Sequence, residues 1–357
     1  MAVLEKVFKA AVDNKASDIH VAPGEPIVLR RFGTFIKMKS PQLTPENTRQ
    51  IIFEILSPEQ QEALAQNLQL DFAYEVEGLG RFRGSAMMHN NGLSAVFRVI
   101  PAKIPNLEEL GIPDIVRKSL DNHQGLILVT GATGHGKSTT LAAMIDYINS
   151  HRAHHILTVE DPIEFIHPLK KAVINQRQLE RDTLSYANAL KGALRQDPDV
   201  IIIGELRDLE TISLAISAAE TGHLVIGTLA TSSAPKSVDR IIDSFPPNEQ
   251  NQVRAMVSES LKAVISQRLI PNKAGTGMVL ALEILIGTLS VANLIRDEKT
   301  FQMQSMMQMG KNIGMQLMDE SILALLKEDK ISVAQALANA ANKGLFKAYA
   351  NEAAPQA

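Results

Sequence analysis

Residues 125–140 read Gly-Leu-Ile-Leu-Val-Thr-Gly-Ala-Thr-Gly-His-Gly-Lys-Ser-Thr-Thr: an apolar run, a glycine-rich turn, then the start of a helical stretch. The spacing fits Gly-x-x-x-x-Gly-Lys-Ser, with Gly131, Gly136, Lys137 and Ser138 at the defined points. In such a loop the glycines let backbone N–H groups turn inward onto phosphate oxygens, and the following helix adds its positive N-terminal end. Lys137 then reaches the β/γ-phosphates and Ser138 ligates Mg²⁺. A glycine turn with no ligand is the bland alternative, but the apolar run Leu126–Val129 before it and the helical Leu141–Asn149 after it favour a phosphate cradle. The cradle residues are Gly131, Thr133, Gly134, His135, Gly136, Lys137, Ser138 and Thr139, and the ligand class is a nucleoside triphosphate.

The same pattern sets the fold of the surrounding chain. Apolar β-type runs at Leu126–Val129, Ile156–Val159, Val200–Ile203, Leu224–Gly227 and Val279–Ile284 alternate with helical stretches. Strands that are apolar on both faces predict a parallel sheet covered by helices, hence an α/β core. From about Val291 the sequence turns wholly helical, and methionines between Met303 and Met318 recur at a spacing that suits packing between helices. The first hundred residues read differently, as a small α+β unit. A helix near Leu4–Asn14 precedes short strands at Ile19–Val21, Ile27–Phe32 and Thr34–Met38. Thr44-Pro45 and Ser57-Pro58 both look like a cap followed by proline at the first helical position. Leu70–Val76, Arg81–His89 and Leu93–Val99 then alternate like antiparallel strands. Ile100-Pro-Ala-Lys-Ile-Pro-Asn carries two prolines and is the best linker.

Composition narrows the setting. A chain of 357 residues is long enough for two or three domains. No apolar run approaches the roughly 18 residues that cross a membrane, and the N-terminal stretch lacks the basic-then-apolar order of a signal peptide. The absence of cysteine excludes disulfides and thiolate metal sites and fits a reducing cytoplasm. A formal charge of −3 leaves no electrostatic footprint for nucleic acid.

A phosphate loop needs a carboxylate for Mg²⁺ and another to orient the attacking water. Glu160, after Ile156–Val159, and Glu205, ending the run Val200–Ile203 with Gly204, are the two candidates. Asp199, which opens that run, is open between the metal shell and turn formation. His223, in Thr-Gly-His-Leu, is either structural, or a γ-phosphate sensor or a group that steers Glu160. Arg81, Arg83 and Arg98 lie on the last strands of the first domain. They are either a solvated face or a cluster placed to neutralise charge on a neighbour's nucleotide.

Together with the loop, Thr-Val-Glu-Asp-Pro-Ile-Glu at 158–164, Leu-Arg-Gln-Asp-Pro-Asp at 194–199, Gly-Glu-Leu-Arg-Asp at 204–208 and Ala-Glu-Thr-Gly-His-Leu at 219–224 resemble the motif set of the hexameric secretion-superfamily ATPases. Ser17-Asp-Ile-His20, Arg81-Phe-Arg-Gly84, Phe97-Arg-Val-Ile-Pro101 and Gly314-Met-Gln-Leu-Met-Asp319 are similar to the type IV pilus retraction branch, so the likeness spans nearly the whole chain. It implies a PAS-like N-terminal domain over residues 1–100, a linker at 101–115, a RecA-like P-loop ATPase core at 116–290, a C-terminal helical region at 291–350 and a flexible tail at 351–357. It also implies a homo-hexamer that hydrolyses ATP with Mg²⁺. The partners it implies are an inner-membrane pilus platform protein, the pilus machinery and paralogous motor ATPases. The expected location is cytoplasmic, attached peripherally to the inner membrane through partners, and no nucleic acid is expected. By the family pattern Glu160 polarises water, Glu205 supports Mg²⁺ with Ser138, His223 belongs to a histidine box, and Arg83 and Arg98 are presented to phosphate.

Four positions depart from that pattern. Ala132 and His135 stand where the branch has Pro and Ser, and both side chains are expected to point outward. Ala230 replaces a second histidine, and Ala292 replaces an arginine. These changes keep a second reading open, an accessory or weakly hydrolysing paralogue acting as a regulatory subunit. A nucleic-acid translocase on the same core is a third, opposed by the acidic charge and the absence of Trp.

Overall fold

The structure is a computed structural model that describes residues 3–349, so the expected tail at 351–357 lies outside the described residues. The chain divides into two compact units, Met1–Ile104 with Pro162–Ile166, and Pro105–Asp161 with His167–Ala357. The expected bounds put residues 162–166 inside the ATPase core, and the structure corrects this. Arg81 Nη2 donates to Ile163 O at 3.1 Å and Arg83 pairs with Glu164 at 3.5 Å. Contacts across some eighty residues of sequence leave no local signal.

The first unit contains α1 (Val3–Asp13), β1 (Asp18–Val21), β2 (Val28–Arg31), β3 (Thr34–Lys37), α2 (Pro45–Phe53), α3 (Pro58–Asn67), β4 (Gln69–Val76), β5 (Gly80–His89) and β6 (Gly92–Ile100). Thr44 and Ser57 cap α2 and α3 through full capping boxes, with proline opening each helix. The six strands run in the order β3-β2-β1-β6-β5-β4, every pair antiparallel. Aromatic side chains fill the core: Phe8 stacks on Phe82 at 4.1 Å between centroids and meets Phe97 edge-on at 5.1 Å. Gly84 on β5 is required there, because a Cβ would lie 2.5 Å from Cζ of Phe72.

The second unit contains α4 (Asp114–Ser119), β7 (Gly125–Thr130), α5 (Lys137–His151), β8 (His155–Glu160), β9 (Val173–Gln178), α6 (Tyr186–Ala193), β10 (Val200–Ile203), α7 (Leu209–Glu220), β11 (Leu224–Leu229), α8 (Ala234–Asp243), α9 (Gln250–Ser260), β12 (Leu261–Pro271) and β13 (Met278–Ile286). The helices α10 (Leu289–Arg296), α11 (Met303–Met309), α12 (Met318–Lys327) and α13 (Val333–Asn339) follow. Its seven strands lie in the order β13-β12-β7-β11-β10-β8-β9. All pairs are parallel except β12–β13. The run Val279–Ile284, expected in a purely parallel sheet, is therefore an antiparallel edge strand that folds back on β12 through the turn at Asn272–Gly277.

Alternation on β7 explains the double-sided core. Leu126 and Leu128 join a cluster with α6, α7, α8 and α9, whereas Ile127 and Val129 join one with α4 and α5. Met303, Met307 and Met315 are buried in the first of these clusters, so those methionines fill space between helices.

Candidate functional site

Four neighbouring strands, β7, β11, β10 and β8, are parallel and so end on one edge of the sheet. Ligands of open α/β sheets bind at such carboxyl ends. The glycine loop leaves β7 there, Ala230 leaves β11, Gly204-Glu205 leaves β10, and Glu160 ends β8.

The loop conformation follows from its glycines. Gly131 has φ +149°, and a Cβ on it would lie 2.7 Å from Gln267 O of β12. Gly136 is the N-cap of α5 at φ +82°, and no side chain caps that helix. Backbone N–H groups of the first turn are thus left pointing toward an incoming anion. Lys137 Nζ is folded over the loop, donating to Gly131 O at 2.8 Å and Ala132 O at 3.1 Å. Burial lowers its pKa below the ordinary lysine value, and the Glu205 carboxylate pulls the other way.

Glu205 is held by geometry at its own strand end. Gly204 N–H donates to Val159 O at 2.8 Å, and Thr228 Oγ1 donates to Gly204 O at 2.5 Å. A Cβ at residue 204 would sit 3.0 Å from the Tyr186 hydroxyl and 3.1 Å from Val159 O, so glycine suits the crowded turn. Arg207 donates from Nε to Glu205 Oε2 at 2.7 Å and also lies 3.8 Å from Asp161. Glu160 Oε1 accepts from Thr158 Oγ1 at 2.7 Å and from Gln176 Nε2 at 3.1 Å. Gln176 Oε1 in turn accepts His167 N–H at 3.0 Å, which sets the orientation of its amide. Thr158, Gln176 and Arg207 were not singled out from the sequence. Gln176 was missed because it sits on the polar edge strand β9, whose only signal is a weak two-residue alternation. A fourth acid, Glu283 on β13, is only 4% exposed and accepts Ala234 N–H at 2.7 Å, so it supports the start of α8, which Ser233 does not cap.

Two expectations about this edge are corrected. His135 does not point outward: its Nδ1 accepts the Leu269 N–H of β12 at 2.9 Å. His223 is not at this edge at all. It precedes Leu224, which pairs with Gly125 and Val200 at the starts of their strands. Six residues of β11 at about 3.3 Å each put His223 about 20 Å from the loop end. There its Nδ1 lies 3.0 Å from Ala218 O and its own carbonyl accepts Gly125 N–H. Asp199 belongs to the same far edge, where its Oδ2 accepts His155 N–H at 2.8 Å, so of its two readings the structural one holds.

Arg83 and Arg98 belong to the first unit, directly opposite each other on β5 and β6. Like charges so placed repel. Glu164 meets Arg83 at 3.5 Å, and Asp18, across from Arg98 on β1, meets Arg98 at 3.0 Å.

Among the described residues no group of three or more His, Asp or Glu forms a metal cage. Mg²⁺ with a nucleotide needs none, since it keeps waters and takes phosphate oxygens with one or two protein ligands. Ser138 in the first turn of α5, with Glu205 near enough to act on the charge of Lys137, fits that requirement. Beside the same turn lies a cavity of about 600 Å³ bordered by Gly136, Thr139, Leu269, Met278, Leu280 and Leu110.

The family model described as type II/IV secretion system protein matches residues 1–341. This chain belongs to that family. Within it, the chain is 50% identical over 317 residues to the type IV pilus retraction ATPase PilT of Pseudomonas aeruginosa, covering 89% of this chain and 92% of that one. It is 46% identical over 340 residues to a twitching motility protein of Neisseria gonorrhoeae, covering 95% and 91%. A crystal structure of the pilus retraction motor PilT with bound ADP superposes with a TM-score of 0.87 at 44% identity, covering 98% of this chain and 99% of that one. The α/β fold with its parallel sheet is thus that of a solved family member. Among the described residues no helix is long and apolar enough to cross a membrane.

Proposed function

We infer that this chain, an ATPase of the secretion family, is a motor that couples ATP hydrolysis to retraction of a type IV pilus. The observation that carries the reading is the convergence of the glycine loop, Glu160 and Glu205 on one edge of the sheet. Glu160, oriented by Thr158 and Gln176, orients and polarises the water that attacks the γ-phosphorus, with ADP as leaving group. Lys137 exchanges its loop carbonyls for β/γ-phosphate oxygens, and the open first turn of α5 receives the rest of the charge. Ser138 and Glu205 would hold Mg²⁺, which neutralises charge on the phosphates when bound. The cavity beside Thr139 and Leu269 suits the nucleoside, because it adjoins the loop at Gly136 and mixes apolar walls with polar groups such as Gln267 and Gln316. The bound ADP of the related solved structure supports a nucleotide as ligand.

The working form is a homo-hexamer, cytoplasmic and held at the inner membrane by a pilus platform protein, in concert with paralogous motor ATPases. Arg83 and Arg98 would face phosphate in that ring. To do so they must exchange Glu164 and Asp18 for the nucleotide. Steady-state phosphate release tests the chemistry: a rate unchanged by Glu160→Gln sinks the hydrolytic reading. Complementation of a non-twitching strain tests the coupling. Restored twitching is expected, and hydrolysis without restored motility would point to an accessory subunit.

A further inference from the structure

His135 joins the phosphate loop to the sheet in a way the loop's backbone alone does not. β12 pairs with β7 only as far as Ser266, opposite Thr130. Past that point β7 has become the loop, while β12 continues to Pro271 with β13 on its other side. Backbone groups on the β7 side of this overhang have no strand beside them, and a half-buried N–H left without an acceptor is destabilising. Leu269 N–H meets this need by donating to His135 Nδ1 at 2.9 Å. The imidazole takes the place of the absent strand. His135 also donates its own N–H to Ala132 O at 3.2 Å, closing a turn across the loop tip. Gly131 lies so close to Gln267 of β12 that a Cβ would clash, and the Leu269 side chain lies beside Gly136, so the loop abuts β12 on both sides of His135.

An imidazole nitrogen that accepts an N–H carries no proton, so the ring is the neutral Nε2–H tautomer. The charged groups that face it are Lys137 from the start of α5 and Arg268 from β12. Both cations, after burial as the larger cause, hold the ring's pKa below the ordinary histidine value. Arg268 is itself secured by the Asn339 carbonyl at the end of α13.

We propose that His135 is a positioning residue of the nucleotide site, whose unprotonated Nδ1 anchors the loop tip to β12 and so pre-orders the Gly134–Lys137 backbone for phosphate. The proposal rests on the reading of this loop as an ATP site. Protonation at Nδ1 would set donor against donor and release the tip, so acid weakens nucleotide binding.

The test uses the full chain, calorimetric ADP affinity and ATPase kinetics. His135→Ala removes the acceptor, and its ADP Kd and ATP KM should rise about threefold to tenfold, the worth of one hydrogen bond, with a smaller change in kcat. His135→Asn offers Oδ1 near the position of Nδ1 and does not titrate. It should bring Kd back to within about twofold of the parent. The ratio of parent Kd to His135→Asn Kd should rise as pH falls from about 8 to about 5, a slope that a merely structural role would not produce. Equal affinity in the parent and His135→Ala, an asparagine variant as weak as alanine, or a flat ratio would each overturn the anchoring. If His135→Ala fails to fold by thermal melting, the asparagine variant's pH ratio decides alone. A parent chain that binds neither ADP nor ATP would instead remove the nucleotide reading on which the proposal stands.

Discussion

The two ends of the same four parallel strands carry much the same residue types and do different things. At the carboxyl end, Glu160 and Glu205 share an edge with an uncapped helix start, and Glu205 acts on the charge of Lys137. At the amino end, Asp199, His155 and His223 are also polar and also follow or precede strands. Each of them is engaged by nearby backbone: Asp199 by His155 N–H, His155 by Asp197 O at 3.1 Å, His223 by Ala218 O. The difference lies in strand direction. Helix N-termini follow the carboxyl ends of parallel strands through tight loops, so unsatisfied N–H groups and their partial positive charge collect on that edge alone. Glu160 and Glu205 there are placed to meet a ligand's field, whereas Asp199 at the other edge repairs a loop.

Substitutions at the two edges sharpen the contrast. Glu160→Gln keeps the shape and the hydrogen-bond acceptor but removes the base, and should lower kcat by about a hundredfold or more. Lys137→Ala should abolish detectable turnover and weaken ADP binding. His223→Ala should leave the ADP Kd within about twofold, since about 20 Å of strand separates it from the loop. A large Kd change in His223→Ala alone would break the division between the edges. One step smaller, Gln176→Leu should cut kcat about tenfold at nearly constant KM. The amide that orients the carboxylate is lost while the phosphate contacts stay, so the fall should appear in kcat. An unchanged kcat would mean that Gln176 only supports β9.

Much of this was legible because burial on both faces leaves a strong mark. The runs Leu126–Val129, Ile156–Val159, Val200–Ile203 and Leu224–Gly227 all lie in strands, and the Thr44 and Ser57 caps start helices as read. The glycine loop and the acid-terminated strands were equally plain. What escaped depends on distant partners. Strands β9 and β12 are too polar or too mixed to stand out, and nothing local says that β13 runs antiparallel. The exchange of Pro162–Ile166 into the first unit depends on Arg81 and Arg83. His223 took its place beside Glu160 from the family pattern, yet one strand length carries it to the opposite edge. His135 was read as outward because a loop motif does not reveal the β12 overhang that receives it.

Glu283 and Asp199 provide a thermodynamic version of the same contrast. Burial raises the pKa of Glu283 above its ordinary value, against the help of Ala234 and Met318 N–H groups and Arg268. A carboxyl raised on folding binds more protons folded than unfolded. Its contribution is therefore greatest at low pH and declines as pH climbs from the unfolded value toward the raised folded one. Glu283→Gln, which keeps an acceptor for Ala234, should flatten that decline in urea-unfolding free energies measured upward from about pH 4.5. A slope identical to the parent's would show that the buried acid is not the source.

The smallest effect is expected at Asp199. Its side chain is half exposed and bonds a single backbone N–H. Asp199→Ala should lower unfolding stability by about 1 kcal/mol, read from a shifted urea midpoint at constant m-value, because solvent reclaims most of what the carboxylate supplied. Asp199→Asn should recover part of that loss through its amide oxygen. Neither change should move the ADP Kd or kcat, since the length of β8 separates this edge from Glu160 and the loop. A loss of nucleotide affinity without a loss of stability would show that the amino-terminal edge reaches the site after all, and that strand direction alone does not divide the chemistry of this sheet.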